Sequence, residues 1–184
     1  MILSIAAALA LGALTWSLLE YCIHRWLGHD RRLRPNFFAD EHVRHHSQGN
    51  YFAPTSKKAA AAVLTLLIAM VPAVALAGWP PGTAYALGLV GFYVFYEVLH
   101  RREHTHRGVG TYGRWARRHH FHHHFADPRT NHGVTSPLWD LVFRTYRRPG
   151  LIRVPRALAM TWLQDPETGE LPRELSPFYE IRSL

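Results

Sequence analysis

The chain has 184 residues, one cysteine (Cys22), fourteen histidines and a formal net charge of +8. A single cysteine excludes a disulfide framework and a thiolate cluster, so any electrons the protein uses must come from a partner. The basic charge alone would suit nucleic acid, but its distribution argues otherwise: no Lys or Arg occurs in residues 1–24 or 59–100, seven lie between Arg25 and Lys58, and fourteen follow His100. Apolar blocks alternating with basic blocks read as an integral membrane protein, with no nucleic-acid partner.

Residues 2–21 form an apolar run long enough to cross a bilayer at about 1.5 Å per residue. A cleaved signal peptide is the alternative. The run lacks a basic start, however, and continues unbroken into EYCIHRWLGH at 20–29, so a retained span is expected. Glu20 sits one turn before His24, where it either faces the headgroups or accepts a hydrogen bond from an imidazole. In the connection 30–56, Pro35 and Asn36 end any helix from the first span. Asp40 is positioned to cap a short helix carrying His42, His45 and His46. Lys57 and Lys58 mark the return to the interface.

A second span is expected over 59–79, with Pro72 tolerated as a kink. Trp79-Pro80-Pro81-Gly82 reads as the turn, and the third span occupies 83–99. Its aromatic end (Phe92, Tyr93, Phe95, Tyr96) reads as core or as an interfacial belt. Glu97 repeats, before His100, the position of Glu20 before His24. A Gly-rich connection at 106–116 leads into RRHHFHHHF at 117–125, a helix on which Arg117 and Arg118 should face away from the site toward lipid phosphate. Asp140 reads as a helix-start or packing residue. Residues 1–150 then form the membrane domain, and 151–184, rich in proline and acidic residues, a C-terminal cap or tail.

Three spans place all 21 Lys and Arg on one side, which the positive-inside rule makes cytoplasmic. The expected fold is an all-α integral membrane protein whose three transmembrane helices carry a cytoplasmic helical cap. Ten histidines concentrate there in four groups: His24 and His29; His42, His45 and His46; His100 and His104; and three of the final run. On a helix, i, i+3 and i+4 share a face, so each HxxHH can aim three imidazoles at one point. Neutral imidazole is the commonest side-chain metal ligand, and ten are too many for one ion, so two metals are implied. An affinity tag or a metal-buffering tract would explain the last run alone, not the other three groups. That run allows two registers, His119/His122/His123 or His120/His123/His124.

Together, EYCIHRWLGH, HVRHH, YEVLHRREH, HHFHHHF and HGVTSPLWDLVFRTY resemble the fatty acid hydroxylase/sterol desaturase superfamily, and the last stretch is similar to its fatty acid 2-hydroxylase branch. The resemblance covers roughly residues 15–150. It implies a membrane-embedded centre of two iron ions, with zinc able to replace iron in purified protein. Such a centre uses O₂ and two external electrons to hydroxylate a C–H bond of a lipid. By position, the ligands it implies are His24, His29, His42, His45, His46, His100, His104, His120, His123 and His124. This choice puts His119 on the outer face of its helix and leaves His106, His119, His122 and His132 as non-ligands. No His-Pro-Gly-Gly heme motif is present, so a separate donor is expected, a ferredoxin or a cytochrome b5-like protein. Two rivals stand beside this reading: a carotenoid- or sterol-type hydroxylase or desaturase of the same superfamily, and a non-catalytic membrane metal-binding protein. Transport would call for ionisable groups along the spans, and they hold none at mid-bilayer.

Overall fold

A run rich in Ala, Leu and Ile forms the first helix, α1 (Ile2–Cys22), which runs on as a π-helical turn, Ile23–Gly28. The computed structural model describes residues 1–108 and 110–182. Five further α-helices follow among the described residues: α2 (Phe37–Gln48), α3 (Thr55–Ala77), α4 (Trp79–Thr105), α5 (Gly110–Phe125) and the short α6 (Leu138–Val142). Ile2–Gly28, Thr55–Ala77 and Trp79–Thr105 are long and apolar enough to cross a membrane, so the mostly helical, three-span architecture agrees with the sequence. One addition was not expected. Near the carboxyl end, β1 (Ile152–Pro155) and β2 (Tyr179–Arg182) pair in parallel, Ile152 opposite Tyr179.

Several boundaries move for local reasons. The break between the second and third spans falls at Gly78, which takes φ +80, and α4 starts at Trp79. Pro80 and Pro81 occupy its first turn, where a missing N–H costs nothing. The cap of α2 is Asn36, whose side chain accepts from Ala39 N, rather than Asp40. Asp40 lies in the first turn, where its charge suits the helix dipole. Helix α5 begins several residues before the histidine run because Trp115 and Ala116 pack there: Trp115 stacks on His119, one turn on.

The chain divides into two compact units. One comprises Met1–Glu20 and Ala53–Val98. Its core is Trp16, Leu89 and Tyr93, with the Trp16 and Tyr93 rings 4.5 Å apart and Phe92 and Tyr96 packed against it. Glycines allow backbones to touch here. A Cβ on Gly12 would lie 2.1 Å from Tyr85 O, and one on Gly88 would lie 2.1 Å from Leu9 O. Close approach of this kind is how helices associate where lipid removes the hydrophobic drive. No residue of α3 is buried, as suits a helix surrounded by acyl chains. Glu97 forms an ion pair with Lys58 in this unit.

The second unit comprises Tyr21–Phe52 and Leu99–Leu184. Its apolar core joins Phe121 of α5 to Ile152, Val154, Met160, Trp162, Leu163 and Tyr179 of the C-terminal segment. Trp162 Nε1 donates to His104 O at 2.9 Å, tying that segment to the end of α4. All ten candidate ligands lie in this unit.

Candidate metal centre

His24 and His29 are five residues apart, a separation that an α-helix would turn to different faces. The chain solves this with the π-helical turn at Ile23–Gly28. Its i→i+5 closure holds more residues per turn and rotates His29 back toward His24, bringing the ring centroids to 5.2 Å. Its loose end is tied down by Arg34, which donates to Gly28 O at 2.7 Å, and by Asn36, which donates to Leu27 O at 3.0 Å.

The ten imidazoles fall into two groups of five. His24, His29, His42, His46 and His123 make the first, and His45, His100, His104, His120 and His124 the second. Within each group the nearest ring nitrogens all lie within 4.8 Å of one another. The expectation that each HxxHH aims three rings at one point is therefore corrected. On α2 the i, i+4 pair His42 and His46 joins the first group while His45 turns to the second. On α5, His120 and His124 join the second while His123 turns to the first. Residues i and i+4 are 40° apart on a helix, whereas i+3 lies on the other side of i, so each motif straddles two adjacent sites. The groups adjoin: His46 and His124 stack with centroids 4.0 Å apart.

In the first group, two of the inward ring nitrogens carry no proton. His24 Nδ1 donates to His132 O at 2.6 Å, and His123 Nδ1 donates to Thr130 O at 2.8 Å. Each ring thereby carries its proton on Nδ1, leaving the buried Nε2 as a bare lone pair with no protein hydrogen bond. His45 Nδ1 likewise donates to Tyr51 O at 2.7 Å. The Nε2 atoms of His29 and His42 approach to 2.7 Å, and those of His104 and His120 to 3.0 Å. Buried lone pairs converging on a point fit a cation, and five imidazoles per group fit a transition metal that takes up to six ligands.

Burial keeps these rings neutral. It pulls His42, His120, His123 and His124 well below the ordinary imidazole range, helped by the neighbouring rings. Burial lowers His29 to about 4, with Arg34 adding to it, and His46 to about 2, with His29 and His45 adding. A neutral ring is the form that binds metal.

Outside the two groups lies a layer of support that spacing did not reveal. Asp140 is fully buried and accepts from His132 N, Gly133 N and Thr145 Oγ1 at 2.9, 2.9 and 2.7 Å. Burial alone would raise its carboxyl, but the bonds from His119, Thr145 and Gly133 hold it below its ordinary value. His119 Nε2 is 3.1 Å from Asp140 Oδ2. His119 is thus not on an outer face: it is buried between Trp115 and Tyr146 and turned away from both groups. Neither does Arg117 face lipid phosphate. It donates to Glu103 O at 2.9 Å and stacks on Trp162 at 3.9 Å, and burial lowers its guanidinium to about 10. Arg118 donates to Pro149 O at 2.8 Å. Of the two carboxylates read as orienting imidazoles, Glu97 faces Lys58 and Glu20 is buried at the end of its unit. The acceptors at His24, His45 and His123 are main-chain oxygens, which no side-chain motif encodes.

Comparison with known proteins agrees with this geometry. The sequence model of the fatty acid hydroxylase family matches residues 9–145. The chain is 33% identical over 148 residues to a fatty acid 2-hydroxylase of Macaca fascicularis, an alignment covering 73% of this chain and 38% of that protein. It is 32% identical over 158 residues to a dihydroceramide fatty acyl 2-hydroxylase of Arabidopsis thaliana, covering 80% of this chain and 62% of the relative. A solved structure of full-length scs7p, with only the hydroxylase domain visible, superposes with a TM-score of 0.61 at 25% identity, covering 80% of this chain and 58% of that one. This chain thus spans less than two thirds of the length of the relatives it matches. With ten imidazoles in two groups, seven of them buried and three half-buried, on a three-span helical frame, and a family match over most of its length, the chain belongs to the fatty acid hydroxylase family.

Proposed function

We propose that this protein is a membrane-bound oxygenase that hydroxylates a C–H bond of a fatty acyl chain or related lipid. The observation that carries the proposal is the pair of five-imidazole groups, mostly buried and side by side, in a chain whose relatives are named as acyl 2-hydroxylases. Each group would hold one iron ion. When bound, iron supplies the redox chemistry that acid and base side chains lack: R–H, O₂, two electrons and two protons yield R–OH and water.

The protein's own contribution is to bind, orient and exclude. Main-chain oxygens of Thr130, His132 and Tyr51 fix His123, His24 and His45 in the Nδ1–H tautomer, so that Nε2 is the binding atom. Phe52 sets an aromatic ring against His45, His100 and His104, and excludes water from the second group. Five imidazoles in each group would hold one ion apiece, and the bound metal would supply the redox chemistry. Electrons would come from a separate ferredoxin or cytochrome b5-like donor. The basic side, with the carboxyl terminus and the centre, faces the cytoplasm in this reading, so reporters fused after the last residue and within 80–82 should mark opposite sides.

Untargeted lipid mass spectrometry of membranes with and without the protein tests the activity. A gain of one oxygen on acyl chains, lost in His123→Ala, is expected. An unchanged acyl pool with altered isoprenoids or sterols would overturn the acyl reading. Elemental analysis after anaerobic iron loading should find two ions per chain, and one ion or fewer would overturn the two-metal reading.

A further inference from the structure

Helix α6 and the residue after it, LWDLVF at 138–143, are sharply two-sided. Asp140 points inward and is fully buried, while Leu138, Leu141, Val142 and Phe143 remain exposed, Leu141 and Val142 each by 56%. Four neighbouring apolar side chains left in water make a patch that a globular surface does not normally carry.

What covers the patch follows from its neighbours. Phe143 stacks on Tyr21, with centroids 5.1 Å apart and planes 11° from parallel, and meets Trp26 edge-on at 6.3 Å. Tyr21 and Trp26 belong to the last turns of the span Ile2–Gly28. About twenty residues of helix, roughly 30 Å, separate that end from the start of the span, the thickness of the hydrocarbon layer. With that span across a bilayer, Phe143 would sit at the depth where acyl chains give way to headgroups. The rim is cationic. Arg25 lies over the Phe143 ring at 5.9 Å, and Arg144, Arg147 and Arg148 follow along the chain, all three exposed. An apolar face at this depth, rimmed by guanidiniums, has the composition of an interfacial segment on an anionic leaflet.

We infer that α6 is a fourth membrane contact that does not span, with Leu138, Leu141, Val142 and Phe143 immersed at the acyl–headgroup boundary and the arginines on lipid phosphates. The inference rests on the reading that Ile2–Gly28 crosses the bilayer. It also gives the loop 130–133, which carries the main-chain acceptors of His24 and His123, a fixed position at the membrane surface.

The test uses the full chain with Cys22→Ala, since Cys22 is the only cysteine. It is reconstituted in vesicles of phosphatidylcholine and phosphatidylglycerol, and Leu141→Cys and Val142→Cys are labelled separately with a nitrobenzoxadiazole dye. Arg129→Cys, on an exposed loop position, reports water, and Val71→Cys, on the exposed face of α3, reports lipid. Loss of fluorescence to phosphatidylcholine brominated on its acyl chains, with little loss to iodide, is expected at both 141 and 142. Quenching by iodide alone, while Val71→Cys is quenched by bromolipid, overturns the inference and leaves the spans intact. Protection from both quenchers overturns it in favour of a second copy of the chain. Iodide quenching of Val71→Cys as well overturns the span reading itself.

Discussion

His24 Nδ1 lies 2.6 Å from the main-chain oxygen of His132, and that oxygen is held in place by Asp140, which accepts the N–H groups of His132 and Gly133. A carboxylate with no direct part in either imidazole group thus fixes the orientation of one of them. Asp140→Asn keeps the shape, but His132 N and Gly133 N bond to different oxygens, so the amide turns a donor toward one of the two N–H groups and leaves it without an acceptor. Loss of an outer partner of this kind costs about 10–100-fold in metal affinity. Chelator competition should show the variant giving up one ion of the pair more readily than the parent. Equal release of both ions from parent and variant would remove Asp140 from this role.

Two histidines of α5, His119 and His124, separate support from ligand. His124→Ala should lower metal content, because it takes a nitrogen from the second group. His119→Ala should retain metal yet destabilise the fold by about 1–3 kcal/mol, since it strips a partner from the buried Asp140 carboxylate. Metal analysis beside thermal unfolding distinguishes the two. Metal loss in His119→Ala with metal kept in His124→Ala would reverse the ligand assignment.

Helix packing in the spanning unit makes a paired prediction. Gly88→Ala would push its Cβ to 2.1 Å from a main-chain oxygen, whereas the same change at Gly91 meets nothing within 4 Å. Overpacking of this kind costs about 1–3 kcal/mol, while replacing an unhindered helical glycine gains about 0.5–1 kcal/mol. Melting temperatures in one detergent should fall for Gly88→Ala and hold or rise for Gly91→Ala.

Burial lifts the Tyr179 phenol to about 12, with Arg117 and Arg118 drawing it back in part. The folded chain therefore favours the neutral phenol more than the unfolded chain does. Its contribution is fully present below pH 10 and is lost as pH rises from about 10 toward 12. A shift near two units corresponds to about 2–3 kcal/mol. Tyrosinate absorbance should show Tyr179 ionising only as the fold opens, and Tyr179→Phe should flatten the alkaline loss of stability.

The sequence by itself determined the spans and the histidine inventory. Apolar runs of about twenty residues and the i, i+3, i+4 spacings are local properties, legible without knowing what the helices pack against. It also placed helix punctuation nearly correctly, though Gly78 and Asn36 rather than Trp79–Gly82 and Asp40 make the turn and the cap, because positive φ and cap geometry decide between neighbouring candidates. Only the tertiary structure decided how ten imidazoles divide. The split of each HxxHH between two groups depends on where four helical segments converge, and no single helix encodes that. The same holds for the acceptors of His24, His45 and His123: they are carbonyl oxygens, present at every residue, and only the path of the chain selects Thr130, His132 and Tyr51 among them. Asp140 and His119 show the reverse face of this limit. Their spacing of twenty-one residues carries no periodic signal, and the need to pair a buried carboxylate becomes visible only once both are enclosed.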